Sequence, residues 1–164
     1  MKVGIVSDTH DNGNVVDRAV ETFEREDIDA VIHCGDVVSP FSATPFDSSA
    51  FEFYAVRGNN DGEWSLQNVV EAFGSYLGEM GELTLGGAEF AVYHGTSEPI
   101  VEALIESGNY DYVCRGHTHE RVHEERDGTV HINPGGIAIP DAPEDQAAVV
   151  VDTEAGDVEF HDLA

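Results

Sequence analysis

Short apolar runs that each stop at a polar, glycine-bearing loop constrain this chain more than any other feature. Lys2 to Val6 runs into Ser7-Asp8-Thr9-His10-Asp11-Asn12-Gly13, and Asp29 to Cys34 into Gly35-Asp36. Phe51 to Arg57 runs into Gly58-Asn59-Asn60-Asp61-Gly62, and Tyr110 to Cys114 into Arg115-Gly116-His117-Thr118-His119. Their length and their β-branched and aromatic content predict strands. Between them, Val15 to Arg25 carries apolar residues at 15, 16, 19, 20 and 23. That is helical spacing, with Asn12 or Asn14 able to cap the start. Leu66 to Tyr76 and Pro99 to Ser107 are further helical stretches, the latter with proline near its first turn. Val37 to Ser49, with Pro40 and Pro45, reads as irregular or a short helix.

The second half is richer in hairpins. Glu82 to Leu85, Gly86-Gly87 and Ala88 to Tyr93 make one, ending on His94-Gly95-Thr96. Arg121 to Arg126 and Thr129 to Ile132 make another around Asp127-Gly128, followed by Asn133-Pro134-Gly135-Gly136. Gln146 to Asp152 and Asp157 to Phe160 make the last, around Ala155-Gly156. The order predicts an α/β fold of two mixed sheets packed face to face with helices outside. At 164 residues it is expected to be one domain, 1–164. Ligands of such sheets bind at the carboxyl ends of strands, which is where the polar clusters fall.

The charge balance excludes one class of partner. Thirty-three acids face seven bases, for a net charge of −26, and Lys2 is the only lysine. No basic face can meet phosphates, so stable nucleic-acid binding is not expected. Regular apolar runs argue for a folded protein with an acidic surface, as in salt-loving cytoplasms. Self-repulsion then destabilises the compact state until salt screens it. The thermal midpoint should therefore rise steeply from dilute buffer to molar salt; identical midpoints would refute this halophilic reading. No apolar run approaches the ~18–20 residues of a membrane span, and the strand-like N-terminus does not resemble a signal peptide. The expected location is cytoplasmic, without membrane attachment; homo-oligomer formation is left open. Two cysteines, Cys34 and Cys114, make neither a disulfide framework nor a thiolate zinc site and read as small buried apolar residues.

The strand-end loops together offer Asp8, His10, Asp36, Asn59, His94, His117 and His119. Taken singly each has an ordinary structural reading: Asp8 a cap, Asp36 a turn residue, Asn59 a left-handed turn residue, His94 a strand-end histidine. Side chains two apart on an extended chain point the same way, so His117 and His119 can face one site. Oxygen and imidazole donors without cysteine suit Mn²⁺, Zn²⁺, Ni²⁺ or Fe²⁺. Seven are too many for one catalytic zinc-type site, which needs about three, and suit two ions sharing a bridge.

These five motifs, in this order from Asp8 to Asn133-Pro134-Gly135, resemble the calcineurin-like metallophosphoesterases, in particular their small prokaryotic phosphodiesterase branch. The resemblance implies a four-layer α/β/β/α sandwich. It implies that Asp8, His10 and His119 hold one divalent ion, that Asn59, His94 and His117 hold the second, and that Asp36 bridges them. Mn²⁺ is the expected metal, with Ni²⁺, Zn²⁺, Fe²⁺ or Mg²⁺ as alternatives. Asp36, Asn59 and His94 are the expected catalytic residues, and Asn12 and Asn60 the expected substrate contacts. The implied activity is hydrolysis of a small phosphate ester, with a diester expected, by a hydroxide bridging the two ions. Two dications against two carboxylates leave the site at about +2, or about +1 with the hydroxide, a cationic pocket in an acidic protein.

Two positions depart from the family. Many phosphomonoesterases carry a histidine where Asn60 stands, and His-Gly-His where this chain has His94-Gly95-Thr96. An amide is no general acid, and such help is worth ~10²–10⁴-fold, so diesters and aryl esters are the expected substrates. The competing reading is a catalytically weak scaffold, as in the retromer subunit of the same fold. Asp61 is expected either to orient a ligand histidine or to serve the turn, and Arg57 and Arg115 to pair with acids. His33, His123, His131 and His161 belong to no motif and read as strand or surface residues.

Overall fold

The computed structural model describes residues 1–62, 64–138 and 145–163. Eleven strands fall into two mixed sheets among these residues. The first has the order β11(Asp157–Asp162), β10(Ala147–Asp152), β1(Lys2–Val6), β2(Ala30–His33), β3(Glu52–Ala55), β4(Ser75–Tyr76). The second runs β5(Met80–Leu85), β6(Ala88–Tyr93), β7(Tyr112–Cys114), β9(Thr129–Pro134), β8(Arg121–Arg126). β1, β2 and β3 are mutually parallel, as are β6, β7 and β9. Their carboxyl ends, and so the polar loops, therefore gather at one end of the molecule.

Alternation along the strands sets the layers. Val3, Ile5, Ala30 and Ile32 of the first sheet meet Phe90, Val92, Cys114 and Ile132 of the second in a core between the sheets. Val6, Val31, Phe53 and Val150 point the other way, against Val16, Ala19 and Phe23 of α1(Gly13–Arg25) and Leu66 and Val70 of α3(Trp64–Glu71). Ala91, Tyr93 and Val113 cover the outer face of the second sheet with Val101 and Ile105 of α4(Glu98–Glu106). The result is the predicted α/β/β/α sandwich. Fully burying a side chain such as Phe23 contributes about 1.5–3 kcal/mol.

Most elements lie where the periodicity places them. The region after Val37 holds a one-turn helix, α2(Pro40–Ala43), and a 3₁₀ turn at Thr44–Phe46. One expectation is corrected. The helix expected over Leu66 to Tyr76 stops at Glu71, and Ser75–Tyr76 instead pairs in parallel with Tyr54 and Ala55 as an edge strand. The Gly74 amide closes the helix on the Val70 carbonyl at 2.7 Å, and a sheet edge then satisfies backbone groups that a continued helix would have satisfied locally.

Candidate metal centre

All seven expected ligands meet at the carboxyl ends of the parallel strands. Asp8 and Asp36 are almost fully buried there, 0 % and 1 % exposed. One Asp36 oxygen, Oδ2, stands 3.3 Å from His10 Nε2 and 3.4 Å from His94 Nε2. Asp8 Oδ1 is 3.4 Å from His119 Nε2 and 3.7 Å from His10 Nε2. Asn59 Oδ1 lies 2.9 Å from His94 Nε2 and 3.0 Å from His117 Nδ1. Asp36 thus stands between an Asp8–His10–His119 group and an Asn59–His94–His117 group.

These atoms suit cations. Asp8 Oδ1 and His10 Nε2 are buried without a hydrogen-bond partner, a costly state for polar groups unless another ligand satisfies them. His94 Nδ1 lies 2.8 Å from the Cys34 carbonyl, and His119 Nδ1 2.8 Å from that of Ile137. A carbonyl only accepts, so each ring carries its proton on Nδ1 and turns the Nε2 lone pair into the site. Two imidazole nitrogens and an amide oxygen then converge within hydrogen-bond distance around Asn59, an arrangement that needs a cation or a proton between them. The donor set is oxygen and imidazole, as hard or borderline dications prefer.

Electrostatics agree. Burial pushes the Asp36 carboxyl up, but His94 and the two hydrogen bonds from Asn60 outweigh it and hold the group well below the usual carboxylate range. The neighbouring Asp8 carboxylate raises His10 against its burial. Burial lowers His94, but Asp36 and Asp8 more than reverse this. Burial lowers His117, which the nearby His94 reinforces.

The loops reach this geometry through unusual backbone. Asp8, His10, Asp36, His117 and His119 have φ of 51°, 41°, 59°, 71° and 59°. Left-handed backbone at non-glycine residues costs energy and concentrates at functional sites. His117 and His119 are thus not two positions of one extended strand, as their spacing suggests: left-handed turns aim both rings at the site. Asp8 and His10 are locked to the next loop by backbone bonds to the Gly35 and Asp36 carbonyls, each 3.0 Å. Gly58 and Gly116 allow the close approach, since a Cβ on Gly58 would overlap Asp36 and one on Gly116 would overlap Ser7 and Asp8.

A supporting shell surrounds the ligands. Asn60 donates its backbone N–H to Asp36 Oδ1 and its side-chain N–H to Oδ2, both at 2.8 Å; it grips the Asp36 carboxylate by both oxygens. Asp61 touches no ligand histidine. It accepts from the backbone N–H of Asp36 (2.9 Å), Val38 (2.7 Å) and Gly58 (2.8 Å), and burial raises its pKa despite those bonds. Arg115 is buried, donating to the Gly95 and Gly116 carbonyls and to Glu98, so it ties the His94 and His117 loops together. Asn133, from β9, donates to the Gly116 carbonyl and to Thr118 Oγ1. Asn12 is the N-cap of α1, accepting from the Val15 N–H at 3.3 Å. Thr96 Oγ1 lies 2.9 Å from the Tyr93 hydroxyl.

His33 was not singled out by sequence, yet it is fully buried under the site. Its Nδ1 accepts from the Gly35 N–H (3.2 Å), so Nε2 carries the proton and donates to Thr9 Oγ1 (3.1 Å). Burial lowers its pKa from 6.5 to about 4. The unfolded chain takes up this proton near pH 6.5 and the folded one only near 4. The stability contribution is complete above pH 6.5 and is lost as pH falls towards 4, about 3 kcal/mol in all. Urea midpoints between pH 7 and 4.5 should therefore fall more steeply for the unmodified chain than for His33→Gln; parallel curves would rule this out.

Residues 1–156 match the family model described as the calcineurin-like phosphoesterase superfamily domain. The chain is 41 % identical over 145 residues to phosphodiesterase MJ0936 of Methanocaldococcus jannaschii, covering 82 % of this chain and 83 % of that protein. It is 31 % identical to the probable metallophosphoesterase YsnB of Bacillus subtilis, covering 100 % and 92 %. Among solved structures, a novel archaeal phosphodiesterase matches with a TM-score of 0.89 at 35 % identity, covering 98 % of this chain and 99 % of that one. Vps29 of Entamoeba histolytica, complexed with zinc, matches at 0.72 and 16 % identity over 98 % and 97 %, a likeness of fold alone.

Proposed function

The chain belongs to the calcineurin-like phosphoesterase superfamily and is a metal-dependent phosphoesterase, and from that premise we propose that it hydrolyses small phosphodiesters at a two-metal centre. Asp8, His10 and His119 would hold one ion and Asn59, His94 and His117 the other, with Asp36 shared between them. The observation that carries this is the single Asp36 oxygen standing 3.3 and 3.4 Å from imidazole nitrogens of the two groups. Two bound dications, Mn²⁺ first among them, would supply positive charge for phosphoryl oxygens and activate water as the nucleophile at neutral pH.

The chain's own residues do the rest. Asn60 holds the Asp36 carboxylate by both oxygens and offers no acidic proton to a departing alkoxide. Carbonyls of Cys34 and Ile137 keep His94 and His119 in the tautomer that presents Nε2. Arg115 fastens two ligand loops without entering the site. Diesters and aryl esters are therefore favoured over alkyl monoesters, since protonation of the leaving group is worth ~10²–10⁴-fold. The proposed compartment is the cytoplasm, consistent with two buried cysteines that form no disulfide; among the described residues no helix is long and apolar enough to cross a membrane.

Purified chain in molar salt with Mn²⁺ should contain two ions by elemental analysis and hydrolyse an aryl phosphodiester faster than an alkyl monoester. Two bound ions without turnover would instead favour the scaffold reading, and one ion per chain would refute the dinuclear one.

A further inference from the structure

Beside the metal centre lies a second cavity that the chemistry above does not use. The first, about 220 Å³, opens on Asn59 and His94 and is bounded by Arg57, Glu79 and Thr96. The second, about 230 Å³, is lined by Arg57, Asp61, Trp64, Gln67 and Tyr76. Arg57 belongs to both, so the two are neighbours sharing one wall.

The wall and the floor are both unusual for this protein. Trp64 is the only tryptophan in the chain and is 76 % exposed at the start of α3. An indole face left in water beside a catalytic centre is a ready stacking surface. Arg57 is one of seven bases in the whole chain. Its Nε donates to the Asp61 carbonyl (3.0 Å) and its Nη1 to the exposed Glu79 (2.9 Å), while Nη2 has no hydrogen bond among the described residues. Arg115, the other arginine near the site, is committed to backbone carbonyls and Glu98. Arg57 is thus the base near the site with a donor left for a ligand.

We propose that the two cavities form one substrate groove: the phosphate lies at Asn59 and His94, and a planar aromatic ester group stacks on Trp64 beside Arg57. This rests on the phosphoesterase reading and adds to it the class of the second ester group. The lining selects that class. The second cavity offers the Trp64 indole, Tyr76 and the Gln67 amide around one guanidinium that is already paired with Glu79, which suits a flat aromatic group, a nucleobase or a phenyl ring, better than a second phosphate. Arg57 and Trp64 are binding residues here, with no part in bond cleavage.

The sole tryptophan makes this directly measurable. Metal-loaded protein in molar salt is titrated with thymidine 5′-monophosphate, phenyl phosphate, glycerol 1-phosphate and inorganic phosphate while indole emission is followed. Quenching by thymidine monophosphate, phenyl phosphate or both, but not by glycerol phosphate or phosphate, supports the groove and tells nucleobase from aryl ring. Emission unchanged by all four, or changed equally by all, overturns it. In kinetics, Trp64→Ala should raise KM for an aryl or nucleoside phosphodiester about tenfold, within the range of single stacking contacts, with kcat little changed. Trp64→Phe should restore most of the affinity, and Phe41→Ala, an equally exposed aromatic on α2 outside both cavities, should change nothing. An unchanged KM in Trp64→Ala refutes the groove alone. If the unmodified chain hydrolyses no phosphoester, the phosphoesterase reading fails, and the fluorescence titration still decides the groove.

Discussion

Asp36→Ala should lower phosphodiester hydrolysis by about a thousandfold or more and remove at least one of the two proposed metals. Loss of a residue that only supports a metal ligand typically costs 10–100-fold. In the proposed centre Asp36 is the shared ligand, its Oδ2 facing His10 and His94 together, so its removal should disable both groups at once. The substitution also strips Asn60 of both its acceptors, freeing a loop that carries Asn59. Elemental analysis and turnover of an aryl phosphodiester, measured on the same preparation, check this. Full occupancy with full activity would show that Asp36 bridges nothing. A metal-free control matters, because the change also removes the His94 and Asn60 interactions that hold the Asp36 carboxyl well below the usual carboxylate range, so the metal-free fold loses stability as well.

Asp61→Ala should destabilise the metal-free chain by about 2–6 kcal/mol. Three backbone N–H groups, of Asp36, Val38 and Gly58, converge on that carboxylate; those of Asp36 and Gly58 are buried, and each buried donor left without a partner costs about 1–3 kcal/mol. The lower part of the range is expected where water enters from the cavity that Asp61 lines. Val38 adds to the effect, since a β-branched residue at φ 83° stays there only while its N–H is held. Urea denaturation without metal tests this. A residue whose task was to orient a ligand histidine would instead change metal affinity and leave metal-free stability nearly intact.

Both experiments concern features of unequal legibility. The fold class and the candidate ligands that converge at the site could be read because they follow from composition along the chain. Strands show as short β-branched runs, and the ligands show as Asp, His and Asn standing immediately after them. The supporting residues could not be read that way. Asn60, next to a ligand, appears in sequence as a missing general acid, and its grip on Asp36 is a contact across 24 positions. Arg115 looks like one more surface base until it is found buried between two loops. His33 follows no motif because its task, holding Thr9 and the Gly35 amide, needs only a neutral ring in a dry place. The helix expected to reach Tyr76 ended early because an open edge of the first sheet competed for Ser75 and Tyr76.

What the sequence by itself determined was which atoms can bind metal and at which end of which strands they lie, because donor chemistry and strand propensity are local properties. What only the tertiary structure decided was how those atoms face one another. Left-handed backbone at Asp8, His10, Asp36, His117 and His119 is unfavourable for each residue alone. It persists because bonds between loops, such as Asp8 and His10 to the Gly35 and Asp36 carbonyls, form only once the parallel strands have brought those loops to the same end.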